Sequence, residues 1–211
     1  MTKQSCPLCK NKASEFYIKK NKTYYTCNTC GGIFVDKKSL PNLEMEKLRY
    51  LEHNNDINNI HYQDFVKPIV NSILRDYNNL DIGLDFGAGT GPVISKLLND
   101  RNLKTKLYDP FFYNHPDLLK EKYNYIICCE VIEHFYNPQK EFLLLRNLLK
   151  ENGKLYCMTS IYNDTIDFNS WYYKDDKTHV FIYRKKTLEY IYETYRFSNL
   201  EIKDNLIIFS R

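Results

Sequence analysis

The chain has 211 residues, of which 43% are apolar and 27% charged, with a formal net charge of +4. That length carries one ordinary domain plus a small appendage, and no apolar run comes near the length of a membrane-spanning helix. The polar opening Met-Thr-Lys-Gln-Ser-Cys has no secretory character, so the expectation is a cytoplasmic protein without a membrane partner.

The first predicted element is a metal-binding module. Cys6, Cys9, Cys27 and Cys30 form Cys-x2-Cys-x17-Cys-x2-Cys. Each pair is a short turn that aims two thiolates at one point, and two such turns suit tetrahedral zinc. Glu15–Lys19 and Tyr24–Thr26 read as strands between the turns, giving a zinc ribbon over residues 1–40. So short a segment cannot build an adequate core, and the metal would supply its folding energy. Four thiolates leave no open position, so the zinc would be structural; two disulfides are the competing reading. Residues 1–40 carry eight Lys against two acids, a formal +6, and the rest of the chain 22 Lys/Arg against 24 acids, or −2. A polyanion such as RNA is therefore one candidate partner of the ribbon. Cysteine-bound zinc, at −2, would cancel part of the excess. A solvated lysine-rich surface is the other reading.

Residues 41–79 form a helical lid or linker, with apolar positions at helical spacing over 42–53 and 61–77 (Leu43, Leu48, Leu51; Phe65, Ile69, Ile73, Leu74). Residues 80–211 then alternate strands and helices. Strands are expected at about 80–86, 103–108, 125–129 and 155–159, and helices at 92–100, 138–149 and 187–195. An antiparallel hairpin over 197–210 turns near Asp204-Asn205. The pattern predicts an α/β, Rossmann-like fold with a mostly parallel sheet and an antiparallel C-terminal hairpin. Cys128, Cys129 and Cys157 lie in apolar strand-like runs and read as buried hydrophobes.

Strand 80–86 ends in Asp85, and Gly87, Ala88, Gly89, Thr90, Gly91 and Pro92 follow. Glycine admits left-handed backbone and lets a ligand lie against bare main chain. A dinucleotide fingerprint would place its third glycine three residues after the second; here the gap is two, and the Gly-Lys-Ser/Thr of a phosphate loop is absent. Asp-x-Gly-x-Gly-x-Gly after a strand resembles motif I of the class I S-adenosylmethionine (SAM) methyltransferases. An ordinary glycine-rich strand–helix turn is the alternative. The resemblance covers most of residues 42–211. It implies that Asp85, Gly87, Ala88, Gly89 and Gly91 hold the methionine part of SAM, and that Asp109, ending the next strand, binds the ribose. A carboxylate there suits both ribose hydroxyls. One departure stands out: about 15 residues separate Asp109 from the following strand, too few for the usual intervening helix and strand with their adenine-contacting acid. Asp117 is a candidate to replace it.

A second constellation follows the strand at 125–129: Glu130-Val-Ile-Glu133-His134. On a helical turn these two carboxylates and the imidazole share a face, and His179 lies downstream, beyond the strand at 155–159. Glu130 also borders the expected SAM pocket. Glu-x-x-Glu-His resembles motifs of the ubiquinone-pathway O-methyltransferases and of the small-RNA terminal 2′-O-methyltransferases, in the second of which two Glu and two His hold a metal. That resemblance implies a Mg²⁺ or Mn²⁺ site at Glu130, Glu133, His134 and His179, with Glu133, His134 and His179 as catalytic groups. A solvated first turn, or a histidine acting as general base without metal, remains the alternative. The acceptor would be bounded by Arg49–Asn54 and Tyr62 on the lid side and by Trp171, Tyr172 and Tyr173 near His179. The aromatic cluster reads equally as acceptor platform or core.

The sequence thus predicts a zinc-ribbon-bearing SAM-dependent methyltransferase, directed to a hydroxyl of a small molecule or a ribose. Three alternatives stand beside it: an RNA methyltransferase using the basic ribbon, a C-methyltransferase acting on a nucleotide sugar, and a non-catalytic binding protein of the same fold.

Overall fold

The computed structural model describes residues 4–19, 22–52 and 56–211. His53 and Asn54, assigned above to the lid, lie outside the described residues. Four short strands make the ribbon: β1 (Gln4–Ser5), β2 (Lys12–Lys19), β3 (Lys22–Thr26) and β4 (Ile33–Val35), each antiparallel to the next. Its two cysteine turns are built alike. In each, the first cysteine's N–H donates to the carbonyl five residues on, and its own carbonyl accepts from the N–H four residues on, all at 2.7–2.9 Å. The residue at that fourth position is left-handed in both, Lys10 at φ +62° and Gly31 at φ +76°.

Helix α1 (Leu43–Glu52) and helix α2 (Ile60–Asp76) follow, the second capped by the Asn59 side chain, which accepts from the His61 and Tyr62 N–H groups. The main sheet comprises β5 (Ile82–Phe86), β6 (Lys104–Tyr108), β7 (Tyr123–Cys129), β8 (Leu149–Met158) and the hairpin β10 (Asn199–Lys203) and β11 (Leu206–Ser210). Their order is β10-β11-β8-β7-β5-β6; β6, β5, β7 and β8 run parallel, and β11 joins β8 antiparallel. Helices α3 (Val93–Asn99), α4 (Pro138–Leu148) and α5 (Lys185–Thr194) complete the fold.

Because strand side chains alternate between faces, β7 fills two cores. Tyr125 and Ile127 pack with Ile69, Ile73 and Leu98 of α2 and α3, while Ile126 and Cys128 pack with Phe142, Leu145 and Ile191 of α4 and α5. A strand covered on both faces must be apolar, as β7 is over residues 125–129. Cys128 and Cys157 are fully buried and Cys129 half-buried.

One sequence boundary shifts. Strand β8 starts at Leu149 rather than near 155, and Asn152-Gly153 sits in an irregularity where the pairing jumps from Tyr123–Leu149 to Tyr125–Lys154. Asn152 at φ +60° makes that jump feasible. The 14 residues between β6 and β7 hold only a bridge, Asp109 to Tyr113, and a short 3₁₀ turn at Pro116–Lys120. The usual helix and strand are absent there, as the spacing implies.

The ribbon is not sealed by its own residues. A fifth strand, β9 (Phe181–Ile182), pairs antiparallel with β4, Phe181 facing Phe34 and Ile182 facing Ile33. Cys6, Cys27, Cys30 and Phe34 belong to the same apolar core as Phe181, Tyr183 and Leu188. Ribbon and α/β domain therefore share a core. Among the described residues, no helix is long and apolar enough to cross a membrane.

Candidate active site

In a parallel sheet the ligand crevice lies beyond the carboxyl ends of the strands, and a cavity of about 800 Å³ occupies that position. Gly87, Ala88, Gly89, Asp109 and Glu130 line it; Asp85 and Gly91 do not. The Gly87 and Ala88 N–H groups donate to the Tyr108 carbonyl at 2.8 and 3.2 Å, tying the loop to the end of β6. Gly87 has φ +85°, and a Cβ there would lie 2.5 Å from the Val131 Cγ2. Only glycine serves at that point.

Asp109 is buried. One of its oxygens accepts from the Gly89 N–H at 3.0 Å, the other from the Phe111 and Phe112 N–H groups at 2.8 and 3.1 Å. It knits two loops together and still borders the cavity. Asp117 does not: it is exposed, paired with Lys120 at 2.8 Å, and corrects the suggestion that it replaces the missing adenine acid.

Asp85 is buried beneath the loop, accepting from the Ser95 hydroxyl at 2.7 Å. Burial, opposed by that hydrogen bond, raises its carboxyl to about 6. The folded protein thus holds a proton that the unfolded chain releases near pH 4. The stability this group contributes is complete below pH 4 and lost as pH rises through 6, a cost on the order of 3 kcal/mol at higher pH. Asp85→Asn should accordingly raise the melting temperature of the unliganded protein at pH 8 by several degrees, with the gain shrinking towards pH 4; thermal scans at the two pH values check it.

The second constellation differs from the sequence expectation in two respects. The helical turn does not form: Glu130 sits in left-handed backbone at φ +51°, and only Ile132–His134 makes a 3₁₀ turn. A non-glycine residue there is uncommon and concentrates at functional sites. Ligand atoms of Glu133, His134 and His179 lie within 4.8 Å of one another, and Glu130 falls outside that group. Its carboxyl is raised to about 9 by burial and by the neighbouring Glu133 charge.

Glu133 is fully buried and accepts from the Tyr173 hydroxyl at 2.6 Å and the Thr159 hydroxyl at 3.1 Å. His134 Nδ1 lies 2.9 Å from the Thr178 carbonyl, and His179 Nδ1 lies 2.7 Å from the Tyr173 carbonyl. A carbonyl only accepts, so both Nδ1 atoms carry the proton and both Nε2 atoms offer a lone pair. Burial lowers the His179 pKa, with the nearby His134 adding to the effect. The contact of Tyr173 with Glu133, and any site role for Thr159, go beyond the sequence expectation. Tyr173 belongs to the aromatic cluster noted in the sequence, its ring 4.1 Å from that of His179. Thr159 carried no signal beyond its place at the end of β8. Tyr172 is exposed, whereas Trp171 packs against Tyr162 and Phe168. On the lid side, Glu46 is buried and accepts from Tyr50 at 2.7 Å and Tyr136 at 3.2 Å.

The four ribbon cysteines have their Sγ atoms within 4.8 Å of one another, with Cys6–Cys30 at 3.6 Å and Cys9–Cys27 at 3.3 Å. Sulfurs about 2.3 Å from one zinc stand roughly 3.8 Å apart, so the cluster fits a tetrahedral ion. The Cys30 thiol hydrogen-bonded to Cys6 holds Cys6 down to about 6, favouring the thiolate that a metal needs.

A family model described as a methyltransferase domain matches residues 59–202. Similar solved structures include human N-acetylserotonin methyltransferase in complex with SAM (TM-score 0.56, 10% identity, 82% of this chain and 61% of that chain). Others are an O-methyltransferase family protein from Burkholderia thailandensis (0.54, 10%, 78% and 61%) and a SAM-dependent methyltransferase from Archaeoglobus fulgidus (0.55, 15%, 71% and 94%). The chain spans about 61% of the length of the first two. No curated protein matches it. The likeness to these structures is one of fold. The chain belongs to the methyltransferase-domain family, matched over more than half its length.

Proposed function

We propose that this enzyme methylates a hydroxyl of a small-molecule acceptor and carries a structural zinc in its ribbon. The observation that carries the reading is the junction of the glycine-loop cavity with the Glu133–His134–His179 cluster: His134, His179 and Glu130 all line that cavity. Bound SAM supplies an electrophilic methyl on a positively charged sulfur. The chain orients it with the Gly87–Gly89 backbone and with Asp109, whose carboxylate keeps capacity for a ribose hydroxyl. As the acceptor oxygen takes the methyl and the carbon–sulfur electron pair returns to sulfur, the hydroxyl proton must leave. Neutral His179, or His134, accepts it at Nε2, with Glu133 beside them to stabilise the imidazolium.

The same three groups suit a divalent cation, which would lower the pKa of the attacking hydroxyl. Two imidazoles and one carboxylate favour Mn²⁺ over Mg²⁺, which prefers oxygen ligands throughout. The ribbon lysines support a small acceptor rather than RNA. Lys19 is paired with Asp175 at 2.7 Å, Lys10 donates to the Pro7 carbonyl at 3.0 Å, and burial lowers Lys22 to about 8. Methyl-labelled SAM added to fractionated cell extract with this enzyme should label the low-molecular-weight fraction, insensitively to salt. Label in RNA, with activity falling steeply as salt rises, would overturn the assignment.

A further inference from the structure

Two cavities, not one, reach the candidate catalytic groups. The second, about 770 Å³, lies at the carboxyl end of β8 and beside the hairpin turn, bordered by Ser160 and Asn205. It shares only Glu130 and His179 with the glycine-loop cavity. Helix α1 is the partition. Leu43, Glu46 and Tyr50 line the glycine-loop side, while Met45, Leu48, Arg49 and Glu52 line the other, the two sets falling on different helix faces.

The second cavity is of ligand size, and its wall is unusual. Met45, Leu48, Phe65 and Tyr172 line it while 49%, 56%, 41% and 75% exposed. Large apolar side chains gathered in the open around one cleft mark a binding surface. The cations nearby are spent on the cavity's own acids. Arg49 holds Asp176 at 2.8 Å and Glu52 at 3.2 Å, and Lys19 and Lys174 hold Asp175 at 2.7 and 3.2 Å. Lys177 is the one cation lining the cavity without a carboxylate partner among the described residues. Such a wall offers a polyphosphate a single uncompensated cation.

We infer that this second cavity is the acceptor site, and that the acceptor is an uncharged hydroxyl compound with an extended apolar body. The body lies against Met45, Leu48, Phe65 and Tyr172, and the hydroxyl lies at Glu130 and His179, the two residues that both cavities share. This rests on the methyltransferase reading above and adds the substrate class to it.

Calorimetry on the protein saturated with S-adenosylhomocysteine, using 4-alkylphenols from methyl to octyl as probes, tests the inference. Affinity should tighten at least tenfold across the series, since each buried methylene adds to it. Leu48→Asp and Tyr172→Ala, at exposed positions that the fold tolerates, should each weaken octylphenol binding roughly tenfold and flatten the dependence on chain length, with the affinity for S-adenosylhomocysteine unchanged. Absence of binding, affinity independent of tail length, or variants that bind octylphenol like the parent would overturn the acceptor site. So would a nucleotide sugar or short RNA whose binding the Leu48 variant abolishes. Failure of S-adenosylhomocysteine itself to bind would instead remove the reading on which the inference rests.

Discussion

Glu133→Gln is expected to lower kcat by roughly 100- to 10,000-fold, the range spanned by loss of a proton-transfer or charge-stabilising group, while SAM affinity stays as in the parent. Glu133 is fully buried next to His134 and His179, and both its oxygens accept hydroxyl hydrogens, from Tyr173 at 2.6 Å and Thr159 at 3.1 Å. Glutamine keeps the size and one acceptor but removes the charge on which the imidazoles and any metal depend. Alanine is a poorer test, since it would strand two buried hydroxyls at about 1–3 kcal/mol each. The discriminating pair is kcat from initial rates and SAM affinity from calorimetry. Unchanged turnover would remove both the metal and the general-base roles from this cluster.

Cys27→Ser should have the second large effect, and an uneven one. Zinc content should fall well below one per chain, and the melting temperature should drop by on the order of 10 °C, as for loss of several kcal/mol in a domain of this size. Methyl transfer should fall much further than SAM binding. The reason is β9. Phe181–Ile182 completes the ribbon sheet only two residues after His179, and the ribbon also holds the preceding segment. Tyr24 donates to the Lys174 carbonyl at 2.6 Å, and the Val35 N–H donates to the Val180 carbonyl at 3.0 Å. Loosening the cysteine cluster therefore releases His179 and Tyr173, whereas the glycine loop rests on β5 and β6, neither of which pairs with a ribbon strand. Metal analysis, thermal scans and paired activity and SAM titrations report each part. Full zinc content, or activity and SAM binding falling in step, would contradict this coupling.

The local chemistry of the chain made most of the architecture legible. Apolar strand runs such as Tyr125–Cys129, the helical spacing of Ile69 and Ile73, and the short gap after Asp109 all correspond to what forms. The glycine loop was legible because so few backbones need left-handed residues at 87 and 89, which are φ +85° and +60° here. The rest depended on contacts far apart in sequence. A two-residue strand such as β9 has no periodicity to read, and its partner lies some 150 residues earlier. Spacing of three and four at Glu130, Glu133 and His134 suggested a helical face, but local backbone strain at Glu130 replaced it with a single tight turn. Tyr173 and Thr159 owe their role to a carboxylate 40 and 26 residues away, a relation that no local pattern encodes. The lone acid Asp85 shows the reverse: its position was read from the motif, while its buried partner Ser95 explains why it faces α3 rather than the cavity.

The most direct test is a calorimetric titration of SAM into the parent protein and into Gly87→Val, whose side chain would meet Val131 from a backbone at φ +85°. The parent should bind one SAM per chain, and the variant should bind at least tenfold more weakly, since branched side chains rarely adopt that conformation. No heat of binding in the parent, or equal affinity in the two proteins, would contradict the placement of the cofactor on which every later step depends.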